Sequence, residues 1–152
     1  MIDVYNAILV ATITVVDSGK VLLVKRKKTG FMDGYYATPG GHVDPKETIK
    51  GAAVRELREE IGLVIKEEDL ELFHILQDEN IAPKNYISFR FLVRRWSGTP
   101  KLCEPDKSED VGFFDIKNPP NLSPYVKLDL EVMKNPGVTF SRAEKGEFYK
   151  NS

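Results

Sequence analysis

Gly40-Gly41-His42-Val43-Asp44-Pro45-Lys46-Glu47, running on to Arg55-Glu56-Leu57-Arg58-Glu59-Glu60-Ile61-Gly62-Leu63, carries most of the structural information in this 152-residue chain. On a helix turning about 100° per residue, Glu56, Glu59 and Glu60 fall within an arc of roughly 100°. Ile49, Ala53, Val54, Leu57 and Ile61 occupy the neighbouring arc. The spacing predicts a helix from Thr48 to Ile61, stopped by Gly62 as its C-terminal cap. Its oily side faces a core, and beside that side runs an acidic stripe. Like charges crowded on one helix face repel. A hard divalent cation with oxygen ligands would offset that repulsion, since Mg²⁺ or Mn²⁺ is held by a few carboxylates and shares its other positions with water and phosphate. Arg55 is placed to pair with one carboxylate and fix its rotamer. The two glycines ahead of the helix suggest a tight turn that brings a carbonyl to the same ion.

Gly41, Glu47, Arg55, Glu56, Leu57, Glu59, Glu60, Gly62 and Leu63 are nine fixed positions over twenty-three residues. Their pattern resembles the Nudix box without a departure. The resemblance implies an α/β (α+β) fold, an α/β/α sandwich with a mixed central sheet between helices. It also implies hydrolysis of a nucleoside diphosphate linked to another group, with Mg²⁺ or Mn²⁺ as cofactor. By position it implies Glu56, Glu59 and Glu60 as metal ligands, with the Gly40 carbonyl completing the site. Glu56 and Glu59 both remain open as the base that deprotonates water. Arg55 is implied as an orienting partner, and Glu47 as a salt-bridge or outer-sphere contributor.

Members of that family also use a carboxylate on a loop before the last strand. Residues 103–110 occupy that place, with Glu104 the first choice and Asp106 the second. Arg26, at the end of Val21-Leu22-Leu23-Val24-Lys25, matches a position where relatives carry a phosphate-facing arginine; an exposed basic strand end is the alternative. Phe31, Tyr35, Tyr36 and Tyr86 are candidates to stack on a base. Asn121 stands where some MutT-like members read a purine edge, although helix capping is open to it too. His42 is assigned to a loop and His74 to a strand, while Phe89, Phe91, Phe113 and Phe114 go to the core.

The flanks read as alternating strands and helices. Ile8–Val16 and Val21–Lys25 form a hairpin around Asp17-Ser18-Gly19. A short extended piece covers Tyr35–Pro39. Leu70–Gln77, Ile87–Trp96 and Val111–Ile116 are further strands, and Ser123-Pro124 opens a second helix from Tyr125 to about Lys134. The polar segment from Asn135 is expected to fray, giving one domain over residues 1–140 and a polar tail over 141–152.

Lys and Arg number 22 against 23 Asp and Glu, a formal net charge of −1. That balance offers no footprint for duplex nucleic acid. One cysteine, Cys103, leaves no internal disulfide and suits a reducing cytoplasm. The apolar run Ala7–Val16 is too short to cross a bilayer and has no basic leader, so no membrane partner is expected. The expected partner is a small nucleotide, bound by a monomer or homodimer. The Ser-Gln-Pro-Trp-Pro-Phe-Pro run of NADH-cleaving members is missing. Gln77-Asp78-Glu79-Asn80 holds neither the proline of ADP-ribose enzymes nor the tyrosine of dinucleoside polyphosphate enzymes. The remaining resemblance is to MutT-like nucleoside triphosphate pyrophosphatases. ADP-ribose or nucleotide-sugar cleavage, a non-catalytic nucleotide sensor and RNA decapping are the rivals. An intact acid set weighs against the sensor, and the short basic run Lys25–Lys28 weighs against decapping.

Overall fold

A β-branched run that alternates toward two oily layers makes Ile8–Asp17 (β1) the centre of the sheet. In this computed structural model, which describes residues 1–81 and 83–151, Ala11, Ile13 and Val15 are fully buried on one side. They pack with the same core as Ala53, Leu57 and Ile61 of the box helix. Val16 instead meets a second core built with residues 128 and 132. One strand therefore carries helices on both faces, the layering that alternation at period two demands.

Ser18 (φ 48°) and Gly19 (φ 77°) turn β1 into Lys20–Arg26 (β2). Two successive left-handed residues are the signature of a type I′ hairpin. The chain continues through Tyr36–Ala37 (β3), Gly40–His42 (β4), Ile49–Ile61 (α1), Glu71–Asp78 (β5), Tyr86–Val93 (β6), Ser108–Asp115 (β7), Pro124–Val132 (α2), Thr139–Glu144 (β8) and Glu147–Asn151 (β9). The sheet runs β3-β2-β1-β6-β5-β8-β9, with β4 also on β1 and β7 also on β2. The pairs β1·β6 and β5·β8 are parallel and the rest antiparallel, so the sheet is mixed. The expected sandwich of a mixed sheet between helices is the observed architecture.

Four expectations change. The segment from Asn135 does not fray: β8 lies parallel to β5, and β9 folds back on β8. Its sequence hid this because the residues it buries are small, Ser141 and Ala143, while Phe140 faces out. Gly40 and Gly41 form a strand against Ala11 and Thr12 rather than a turn. The strand expected to reach Trp96 ends at Val93, and the second helix ends at Val132.

Candidate active site

The box helix starts where Thr48 accepts a hydrogen bond from the Gly51 amide at 2.9 Å. It ends where Gly62, at φ 77°, donates to the Arg58 carbonyl. These caps fix the rotation of the acidic stripe relative to the sheet. The stripe lies against the outer edge of β4. Pro39 and Val43 carry ladder bonds to β1, which leaves Gly40 and His42 pointing the other way. The Gly40 amide donates to Glu60 Oε2 at 3.1 Å, and the His42 carbonyl accepts from Arg55 Nη2 at 3.0 Å. In a strand the carbonyl of Gly40 lies on the same edge as its amide.

Both glycines are needed for room. A Cβ on Gly41 would stand 2.3 Å from Glu56 Oε1, and one on Gly40 would stand 2.5 Å from the Ala11 carbonyl oxygen. Gly41 thus stands against a box-helix carboxylate and Gly40 against the β1 backbone, each too close for a side chain unless the neighbour shifts.

Arg55 gathers the acids into one network. Its Nε donates to Glu47 Oε1 at 2.7 Å and its Nη2 to Glu47 Oε2 at 3.0 Å. Its Nη1 donates to Glu56 Oε1 at 2.9 Å and Glu59 Oε2 at 3.2 Å. Glu47 Oε2 also accepts from the Asp44 amide, which ties the loop to the helix. The guanidinium holds the Glu47 carboxyl below the usual carboxylate range. Burial, opposed by Arg55, raises that of Glu56. Glu60 is pushed up to about 8, by burial first and then by the charges of Glu56 and Glu104, with the Gly40 amide pulling the other way. Glu104 is brought in because the loop is stitched to the end of α1: the Cys103 amide donates to the Glu60 carbonyl and the Lys101 amide to that of Ile61. Lys107 Nζ lies 3.2 Å from Glu104 Oε2. Asp106, on the same loop, is exposed.

The donor set suits a hard divalent cation. Half-buried carboxyls held away from their ordinary charge state gain from a nearby cation, and all the donors are oxygen. Among the described residues no three such side chains already converge on one point, and Glu56, Glu59 and Glu60 each have an oxygen engaged by Arg55 or the Gly40 amide.

On the other side of β4 opens a cavity of about 320 Å³, bordered by Gly40 and Gly41. Arg26, Phe31 and Tyr86 line it. Arg26 stacks over Phe31 at 5.7 Å and donates through Nε to the Phe31 carbonyl at 2.8 Å, so it also braces the 29–33 loop. Tyr35 is 38% exposed and Asn121 is exposed, and neither belongs to the lining. The Asn121 carbonyl instead takes the Tyr36 amide. Tyr36 gives its hydroxyl to Asp110 Oδ2 at 2.6 Å.

A family model described as the NUDIX domain matches residues 7–135. The chain belongs to the NUDIX family. It is 37% identical over 105 residues, 68% of this chain and 59% of the relative, to an ADP-ribose pyrophosphatase of Methanocaldococcus jannaschii. It is 34% identical over 85 residues, 55% of this chain and 63% of the relative, to an 8-oxo-dGTP diphosphatase of Escherichia coli. The chain thus spans about three fifths of the length of each. The crystal structure of a MutT NUDIX hydrolase from Burkholderia pseudomallei superimposes with a TM-score of 0.77 at 28% identity, covering 84% of this chain and 98% of that one.

Within this NUDIX domain the sequence reading missed the polar floor of the cavity. Thr12, Asp78, Ser88 and Arg90 line it, all buried, and Asp129 beneath them is 0% exposed. Two signals were available: Arg90 stands between Phe89 and Phe91 in an otherwise apolar stretch of β6, and Asp129 interrupts the apolar face of α2 between Val126 and Val132. Charged residues at core positions are rare without a task.

Proposed function

We propose that this protein hydrolyses the pyrophosphate bond of a nucleoside diphosphate derivative with Mg²⁺ or Mn²⁺, a nucleoside triphosphate being the expected substrate. One observation carries the reading. A nucleoside-sized cavity and a stripe of acids share a rim, and at Gly40 and Gly41, ahead of His42, that rim carries no side chain. A nucleoside in the cavity lays its phosphates across β4 onto the acids. Glu56, Glu59, Glu60 and the Gly40 carbonyl would hold the cation, which when bound neutralises phosphate charge and acidifies water. Arg55 keeps Glu56 and Glu59 in place. Glu104 makes no contact with Arg55 among the described residues and senses both Glu56 and Glu60, so it is available as a further acid beside the reacting bond. Arg26, which lines the same cavity as Gly40, supplies positive charge to the phosphates.

The M. jannaschii relative supports ADP-ribose as the second substrate to test. A panel of nucleoside triphosphates, ADP-ribose and nucleotide sugars, with Mg²⁺ and product identification, decides. Nucleoside monophosphate and pyrophosphate from triphosphates is the expected result. AMP and ribose 5-phosphate as the main products would favour ADP-ribose, and binding without turnover throughout would favour a sensor.

A further inference from the structure

The cavity floor holds a carboxylate and a guanidinium where an apolar sheet face would otherwise continue. Asp78 is 3% exposed and Arg90 is 5% exposed. Arg90 is clamped by its Nε, which donates to both oxygens of Asp129 at 2.6 and 2.7 Å. Asp129 is itself fixed by His74 Nδ1 at 2.8 Å. The Arg90 Nη1 donates to Ser88 Oγ at 3.0 Å, and Ser88 Oγ is 3.1 Å from Thr12 Oγ1. These bonds aim the guanidinium along the floor toward Ser88. Its Nη2 has no protein partner among the described residues, and the side chain faces the cavity.

Ser88 pairs with Leu76, one same-face step from Asp78 on β5. Leu76, the cross-strand partner of the serine that Arg90 holds, therefore stands roughly 7 Å along β5 from Asp78. Asp78 accepts from the Asn80 amide at 2.9 Å, its charge adds to burial in raising the neighbouring Tyr125 hydroxyl, and no cation pairs with it among the described residues. A buried carboxylate without a cationic partner is unfavourable unless something else satisfies it. With about four acceptor sites, it has room for more donors.

This floor presents fixed donors beside a fixed acceptor. Guanine offers the complement on adjoining edges: O6 and N7 accept from an arginine fork, while N1–H and the N2 amino group donate to a carboxylate. Adenine carries one amino donor between two acceptors, so its N1 lone pair would face Asp78. We propose that Asp78 and Arg90 are the specificity-determining pair of the cavity and select guanine nucleotides over adenine nucleotides, a conclusion that rests on the nucleotide hydrolase reading above.

Nucleoside monophosphates titrated into the wild-type protein without divalent ions test this independently of turnover. GMP should bind at least about tenfold more tightly than AMP. IMP, which lacks the N2 amino group, and 7-deaza-GMP, which lacks N7, should fall between them. In Asp78→Asn the GMP-to-AMP ratio should drop toward one; the analogue series on the wild type keeps the test intact if that variant does not fold. Equal affinity for GMP and AMP, or no binding of either, overturns the base assignment. Mg²⁺-dependent turnover of GTP and ATP is measured in parallel. GMP preference without any turnover overturns the hydrolase reading alone, and turnover without base preference overturns this pair alone.

Discussion

Of the box acids, Glu60 has the carboxyl pushed furthest from its ordinary range. Its carboxyl rises from 4.5 to about 8 because it is buried beside Glu56 and Glu104. Since the folded value lies above the unfolded one, the metal-free fold binds more protons than the unfolded chain between about pH 4.5 and 8, and its stability falls as pH rises through that window. Cation binding expels that proton. Mg²⁺ affinity should therefore climb with pH up to about 8 and then level off. Calorimetric titration in two buffers of different ionisation enthalpy should count the released proton, and Glu60→Gln should lower the count. The same variant should stay folded yet lose roughly 100-fold or more of metal-dependent turnover; activity within about tenfold of wild type would remove Glu60 from the ligand set. The two glycines make a paired test. Gly41→Ala drives a methyl into the Glu56 carboxylate, a side chain that can move, so turnover should fall roughly tenfold or more while the melting temperature changes little. Gly40→Ala meets the Ala11 and Thr12 backbone, which cannot move cheaply, so it should destabilise the fold by about 1–3 kcal/mol. Equal melting temperatures for the two variants would contradict this division.

At the scale of the element, α1 works as a unit with β4. Thr48 and Gly62 set its ends, Leu57 and Ile61 set its depth, and Arg55 ties its acids to the Asp44–Glu47 loop. A lysine at position 55 keeps the charge but loses the planar fork that serves Glu47, Glu56, Glu59 and the His42 carbonyl together. Arg55→Lys should therefore weaken Mg²⁺ binding by about 10–100-fold, measured calorimetrically, with far-UV circular dichroism unchanged. Unaltered affinity would show that the acids hold their places without it.

For the whole molecule, the C-terminal hairpin is part of the structure that carries the site. β8 pairs with residues 74–78 of β5, and Phe148 packs on Tyr125 at 5.2 Å, so the chain's end buttresses both Asp78 and the start of α2. Ending the chain at Asn135 would uncover the β5 edge and this second core. That truncation should lower the melting temperature by about 10 °C or more, where a frayed tail would leave it unchanged. The box helix, its Gly62 cap and the β1–β2 hairpin were legible in the sequence because each rests on local spacing, period 3.6, period 2, or glycine at a turn, while the mixed-sheet sandwich came from the order of elements and the family resemblance. Placing Glu104 beside Glu56 and Glu60 required the stitching of its loop to α1, and the polar floor of Asp78, Arg90 and Asp129 joins β5, β6 and α2, far apart in the chain. Tyr35, a candidate by residue type, and Asn121, a candidate by its resemblance in position, lie outside the lining of the cavity because of the path of the backbone there. The sequence by itself determined which acids share a helix face, because that is set by rotation per residue. Only the tertiary structure decided what those acids face and what the cavity beside them offers, because contacts between distant segments depend on strand order and register, which local spacing does not encode.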